Sequence, residues 1–411
     1  MQKRTFVVSA KSLTLFICLL LFVLRDMVRV LLGHYTYGIG GWTFERFSGP
    51  VVMGIIIISI LFLIFYVLQF LPKKRFPGRL RIAFYLISIL TLFWTIHSLF
   101  TVPGYSISTL DGTAKTIWIC MLGLWIGYDD DSWEKIRRWI PLLSLLYLTV
   151  SSYYVFFVRF GTIAGDTTNQ RPYWMLYSTG FWLFAYALLC QGEENDRNSL
   201  FILISMFLNL LIVSFTISRG WLFLTGILYV LFFLQNKSMS KKRKRTLIFL
   251  FVLMVGVGLY LLRDQVIASI SDYIFKFTVS RSRETQFGAF FSQVPITKLI
   301  TGAGEYASYS YKGNPNYIYI DNSYLYYAFH FGFLFAFIMI VLVLRESVRA
   351  IRVRKQFKDG NIGFILFMWF LALSGVSVYC AGYEVSFRVL FIMMLIGRAA
   401  KISEHDYSID N

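Results

Sequence analysis

Apolar runs separated by short polar stretches dominate the chain. A bilayer core about 30 Å thick takes about 20 apolar residues per helix, with about 17–25 the usual range. Twelve runs approach that length, at 12–24, 51–71, 82–101, 113–128, 139–158, 174–190, 199–216, 221–235, 246–262, 323–344, 361–378 and 385–397. The first extends back toward Phe6 and has no small-residue cleavage site after it, so it reads as a retained span and not a removed signal peptide. Only Ile217-Ser218-Arg219-Gly220 separates the seventh run from the eighth, which predicts a tight helical hairpin. The pattern therefore predicts an all-α polytopic membrane protein with about twelve transmembrane helices. Residues 1–262 hold nine spans, 263–322 form one large loop, and 323–411 hold three spans and a tail.

The large loop has a pattern of its own. Val266, Ile270, Ile274 and Phe277 recur at helical spacing with Asp272 and Lys276 on other faces, which predicts an amphipathic helix at the membrane interface. A second helix is expected from Ser282, with Phe287, Phe290, Phe291 and Val294 apolar, stopping at Pro295. Then come Lys298-Leu299-Ile300-Thr301, a turn at Gly302-Ala303-Gly304, and an irregular stretch bearing Tyr306, Tyr309, Tyr311, Tyr317 and Tyr319. Loops this long are usually functional.

Composition agrees with the pattern. Hydrophobic residues make up 57% and charged residues 15% of the 411 positions, against about 25% charged in soluble domains. The net charge of +18 would suit nucleic acid, yet its distribution points elsewhere. With the N-terminus inside, the inner segments 1–11, 72–81, 129–138, 191–198, 236–245, 345–360 and 398–411 carry 26 of the 40 Lys and Arg, and the longer outer segments carry 12. That is the positive-inside bias of a membrane protein with both termini in the cytoplasm, anchored by Lys241 to Arg245 and by Arg349 to Lys358. Membrane lipid, not nucleic acid, is the partner it implies. Cys18, Cys120, Cys190 and Cys380 form no CxxC, the four histidines are scattered, and there is no phosphate-binding glycine loop. No metal or other cofactor is expected.

The outer basic residues oppose the bias and are the informative ones. Arg219 lies in the hairpin turn, Arg281 and Arg283 in the large loop, Arg159 and Arg171 on either side of the loop after the fifth span, and Arg388 one turn inside the last span. A buried arginine in a span costs about 2.5–3.5 kcal/mol on insertion scales, so it faces protein or a polar cavity. Each has a bland reading: an i,i+4 pair with Glu384 for Arg388, snorkelling to headgroups for Arg219. The sharper reading is that guanidiniums converging near the outer leaflet bind a lipid-linked pyrophosphate bidentately. The tyrosines likewise read either as interfacial belt residues or as faces for sugar rings.

Ile217-Ser218-Arg219-Gly220-Trp221, Arg281 and Arg283 in a large outer loop, Gly302-Ala303-Gly304, and Asp321-Asn322-Ser323-Tyr324-Leu325 followed by Gly332 together resemble the Wzy-type polysaccharide polymerases. These share a superfamily of multispan transferases, termed GT-C in architecture, with the O-antigen ligases. The likeness covers residues 200–400 in detail. Many ligase-like members carry a histidine beside the asparagine of the last motif. Asp321 stands there, which leans toward a polymerase.

The resemblance implies that an undecaprenyl-pyrophosphate-linked glycan is transferred, on the outer face of a bacterial cytoplasmic membrane, to a second lipid-linked repeat unit. A chain-length regulator is a candidate partner. Pyrophosphate needs charge stabilisation more than protonation when it leaves, and the acceptor hydroxyl needs a base. Asp321 is the leading base, with Glu305, Asp166 and Glu384 behind it, although Asp321 is equally placed to cap the tenth span. Arg219, Arg283 and Arg281 would hold developing charge with Arg388 in support. Arg159 and Arg171 are further candidates, and Asn322, Tyr324 and the loop tyrosines would position sugar. An O-antigen ligase and a transporter or flippase are the alternatives. A transporter would favour internal repeats and broken spans, neither of which is visible in the sequence.

Overall fold

The computed structural model describes residues 9–31, 33–38, 41–46, 49–71, 76–101, 117–160, 171–191, 196–216, 219–235, 282–304, 307–318, 320–357, 359–375 and 386–407, with isolated positions at 245, 249 and 256. The ninth expected span and the first amphipathic helix of the large loop lie outside them. The protein is mostly helical. In chain order the helices are α1 (Ala10–Leu31), α2 (Gly49–Phe70), α3 (Gly78–Thr101), α4 (Ile117–Cys120), α5 (Gly123–Tyr128), α6 (Asp130–Arg137), α7 (Ile140–Phe160), α8 (Arg171–Gln191), α9 (Asp196–Thr216), α10 (Arg219–Gln235), α11 (Ser282–Gln293), α12 (Ile296–Thr301), α13 (Ser323–Phe331), α14 (Phe333–Arg352), α15 (Ile362–Gly375) and α16 (Phe387–Tyr407). Among the described residues one helix, α3, is long and apolar enough to cross a membrane.

Two antiparallel hairpins qualify the all-α expectation. β1 (Gly33–Gly38) pairs with β2 (Gly41–Arg46), and β3 (Tyr309–Tyr311) pairs with β4 (Asn314–Tyr317). The second replaces the irregular tyrosine stretch. Its two-residue turn, Lys312-Gly313, has φ of 49° and 77°. Positive φ at both central residues gives a turn whose twist matches the flanking strands. Alternating tyrosines around Lys-Gly were the available signal.

Two helices are apolar all round because they are interior. Every side chain of α8 from Leu176 to Gln191 is buried, as is every one of α16 from Phe387 to Gly397. α8 packs on α7, and α16 packs on α5 and α14. The α5–α16 contact rests on glycine. A Cβ at Gly127 would fall 1.8 Å from the Met394 carbonyl oxygen, and one at Gly397 would fall 2.1 Å from that of Leu124. Gly123 and Gly127 form a GxxxG step that lets the two backbones touch.

Two of the expected spans are broken, contrary to the continuous helices the apolar runs suggested. The run 113–128 splits into α4 and α5 at Met121-Leu122, and the run 323–344 splits into α13 and α14 at Gly332, whose φ is 93°. The second break frees carbonyls, and other segments take them up. Ala303 N–H donates to Phe329 O at 2.7 Å, Gly304 N–H to His330 O at 3.2 Å, and Trp94 Nε1 to Phe331 O at 3.3 Å. A Cβ at Gly302 would meet the Trp94 ring at 2.6 Å, and one at Gly332 would meet the carbonyls of Ile300 and Thr301 at 3.0 Å. Gly302, Gly304 and Gly332, apart in sequence, thus form one close backbone contact.

Segments expected on the inner side meet at one end of the bundle. Buried Asp359 accepts from Trp133 Nε1 (2.9 Å), Tyr186 Oη (2.7 Å) and Arg398 Nε (3.0 Å), with Arg137 at 3.9 Å. Gln191 Nε2 donates to Arg137 O at 2.6 Å. Arg79 Nε donates to buried Glu346 at 2.7 Å, and Lys11 lies 2.7 Å from Asp129 and 3.1 Å from Asp131. The Lys135 ammonium bonded to Asp131 at 2.8 Å holds that carboxyl below its ordinary value, and Lys11 adds to the effect.

Candidate functional site

The opposite end carries the residues singled out in the sequence. Asn322 opens α13 with extended backbone (φ −142°, ψ 116°), and its Oδ1 accepts from Leu325 N–H at 3.0 Å. Asn322 is therefore the cap, one residue later than the Asp321 position considered from sequence. Its Nδ2 donates to Ser374 O at 2.8 Å, so the amide ties α13 to the end of α15. Tyr324 is similarly engaged. Its hydroxyl donates to Phe370 O at 3.3 Å and its ring packs against that of Phe370.

Asp321 is thus released from capping, and it is half-buried. Its N–H donates to Gln286 Oε1 at 3.1 Å, and Gln286 Nε2 donates to Tyr317 Oη at 3.5 Å. Gln286 is 2% exposed, so one buried amide joins α11, the tyrosine hairpin and the candidate base. Nothing in the sequence singled out this glutamine, a polar residue in the expected second loop helix. Burial raises the Tyr309 phenol above its ordinary range, with Tyr317 and the nearby Asp321 carboxylate adding to the effect. The rings of Tyr309, Tyr311 and Tyr317 pack on one another in tilted and edge-to-face arrangements with centroids 5.1–6.4 Å apart.

Arg388 is 2% exposed in the first turn of α16. The Tyr327 hydroxyl lies within its electrostatic reach. Ser323 sits one turn before Tyr327 on the same side of α13. Both side chains are fully buried, and neither Ser323 Oγ nor Tyr327 Oη meets a hydrogen-bond partner among the described residues. Buried polar groups are nearly always bonded, and the exceptions collect at sites of function.

A second buried charge cluster adjoins Arg388. Asp26 accepts from Phe387 N–H at 3.3 Å, from Tyr147 Oη at 3.1 Å and from Arg25 at 2.8 Å. Arg25 and Asp26 are 2% and 7% exposed. Their signal in the sequence is the adjacency of opposite charges at the end of the first apolar run. The Arg25–Asp26 pair thus compensates its own charge at the start of the last helix, which leaves Arg388 as the buried guanidinium there that could stabilise an anion in a low dielectric.

The other arginines are placed by their backbones alone. Arg219 begins α10, Arg171 begins α8, Arg159 lies in the last turn of α7, and Arg283 lies in the first turn of α11. Their side chains, together with Arg281, Glu305, Asp166 and Glu384, fall outside the described residues, as does the pairing of Arg388 with Glu384. Among the described residues no group of three His, Cys, Asp or Glu side chains could hold a metal ion. Compared with known proteins, the chain matches no protein-family model and no curated protein.

Proposed function

We propose that the chain is a multispan glycosyltransferase of the bacterial cytoplasmic membrane that polymerises undecaprenyl-pyrophosphate-linked repeat units into O-antigen or capsular polysaccharide. The observation that carries the reading is the buried Arg388 with the unbonded Tyr327 hydroxyl in its electrostatic reach, on the helix that Asp321 precedes and that also buries the unbonded Ser323 hydroxyl. Neutral hydroxyl donors and a guanidinium suit a pyrophosphate leaving group. In the reaction the acceptor hydroxyl oxygen attacks the anomeric carbon of the donor. The glycosyl–phosphate bond breaks with its electron pair going to pyrophosphate, and the hydroxyl proton passes to the Asp321 carboxylate.

The twelve-span, GT-C-like reading has its own support. α1, α2, α7, α8, α9 and α16 are 21–22 residues long, the length a bilayer requires. Large apolar side chains on α3, among them Ile89, Phe93 and Phe100, are exposed at 62%, 57% and 87%, as lipid-facing residues are. The meeting of segments 1–11, 72–81, 129–138, 345–360 and 398–411 at one end fits a cytoplasmic side common to both termini.

A second reading, a transporter or flippase, is favoured by the broken helices at Met121-Leu122 and Gly332. Against it, the carbonyls freed at Gly332 are taken up by Ala303, Gly304 and Trp94, which leaves them committed to protein. Replacing the chromosomal gene with Arg388→Ala or Asp321→Ala variants should reduce surface glycan from a ladder to single repeat units at normal protein levels. Normal ladders in both would overturn the polymerase. Undecaprenyl-linked repeat units trapped on the cytoplasmic side would instead establish the flippase.

A further inference from the structure

The second half of the large loop expected on the outer face carries apolar surface of its own. α12 carries Ile296 and Ile300 at 72% and 60% exposure, and Phe291 just before it is at 53%. Their neighbours across the Gly332 contact are Phe333 and Phe337 of α14, at 58% and 49%. The backbone at Gly302 touches Trp94, which lies seven residues before the end of α3 at Thr101. At 1.5 Å per residue this contact is about 10 Å down the helix axis. On α3 the residues on either side of that level, Phe93 and Phe100, are large, apolar and outward-facing. The exposed face of α12 therefore continues an apolar belt, below the end of a helix long enough to cross a bilayer.

We propose that α12 is a re-entrant element seated in the outer leaflet, with lipid hydrocarbon covering Ile296, Ile300 and Phe291. The inference rests on the membrane reading of α3 and α14. Polar groups in the segment are compatible with such a seat. Thr301 Oγ1 donates to Thr297 O at 3.0 Å, and the N–H groups of Ala303 and Gly304 are bonded to α13. Lys298, exposed on the same short helix, has a stem long enough to carry its ammonium toward the headgroups. The seat has a consequence for the candidate site. α11, which holds Asp321 through Gln286, is then fixed at headgroup depth, where a lipid-linked pyrophosphate lies.

The test uses full-length protein in phosphatidylethanolamine–phosphatidylglycerol nanodiscs. Cys380→Ser removes the cysteine outside the described residues, and buried Cys18, Cys120 and Cys190 stay in place. Nitroxides are attached one at a time at Ile296→Cys, Thr297→Cys, Ile300→Cys, Phe337→Cys and Asn316→Cys. Power saturation then compares collisions with oxygen, which partitions into lipid, and with a water-soluble nickel chelate. Labels at 296, 300 and 337 should favour oxygen by about the same ratio, and the label at 316 should favour nickel. Nickel-accessible labels at 296, 297 and 300 beside an oxygen-accessible label at 337 would overturn the seat and leave the membrane reading standing. A nickel-accessible label at 337 would overturn both.

Discussion

The two ends of the bundle differ in how their buried polar groups are partnered. At one end, Asp359 is met by Trp133, Tyr186, Arg398 and Arg137, and Glu346 by Arg79 and Arg349. At the other, Tyr327 lies within the electrostatic reach of Arg388, and the hydroxyls of Tyr327 and Ser323 meet no protein partner among the described residues. Satisfied networks hold elements together, whereas a polar group left over in the interior costs stability and persists where it serves a ligand. The Asp359 end thus reads as a clasp and the Arg388 end as a candidate site.

Substitutions should separate the two. The largest effect is expected from Asp359→Ala, which removes the buried acceptor shared by Trp133, Tyr186 and Arg398. Removing one partner of a buried ion pair costs about 3–5 kcal/mol, so the folded fraction in detergent should collapse. A normal thermal midpoint would end the clasp interpretation. Arg388→Ala should leave that midpoint near the wild-type value yet lower polymer yield by about 100-fold or more, the usual cost of removing a charge-stabilising donor. Unfolding as severe as that of Asp359→Ala would make Arg388 structural and erase the contrast.

Gly127→Val sits between the two ends. Its side chain would drive into the Met394 backbone, and overpacking of this kind costs about 1–3 kcal/mol. The midpoint should fall with the surviving fraction still active. Asn322→Ala should cost about 1 kcal/mol through the lost cap, with a further loss of activity if the α13–α15 tie orients Asp321. The smallest effect is expected at Asp131→Asn. The folded carboxyl is held below its ordinary value by Lys135. Its contribution is therefore present above the unfolded pKa and disappears as pH falls through the folded one. An exposed i,i+4 pair is worth about 0.3–0.5 kcal/mol. Wild type should exceed the variant by that margin at pH 7 and match it near pH 2 in chemical denaturation, and equal stability at both pH values would remove the pair from the clasp.

Much of the helical plan was legible. Eleven of the twelve apolar runs, all but 246–262, lie wholly or mostly in described helices, because runs of that length and composition leave little alternative to a helix. The second loop helix begins at Ser282 as expected, with Pro295 closing it. The helix breaks at Met121-Leu122 and Gly332 were not legible, since the apolar pattern continues through both. The tyrosine hairpin was missed because its strands are only three and four residues long. Of the candidate site, Arg388 stood out by its opposition to the positive-inside bias and Asp321 by the motif it opens. Ser323, Tyr327, Gln286 and the Arg25–Asp26 pair were not, because uncharged or flanking residues carry no such signal.

The sequence by itself determined where apolar helices form and which segments carry the basic residues, because both depend on composition within a short window. Only the tertiary structure decided which charges meet. Arg79 and Glu346 are 267 positions apart, and Trp133 and Asp359 are 226 apart. It also decided that Gly302, Gly304 and Gly332 share one contact and that Asn322, not Asp321, caps α13. Those outcomes depend on which backbones approach closely enough to leave a carbonyl, a hydroxyl or a guanidinium with or without a partner.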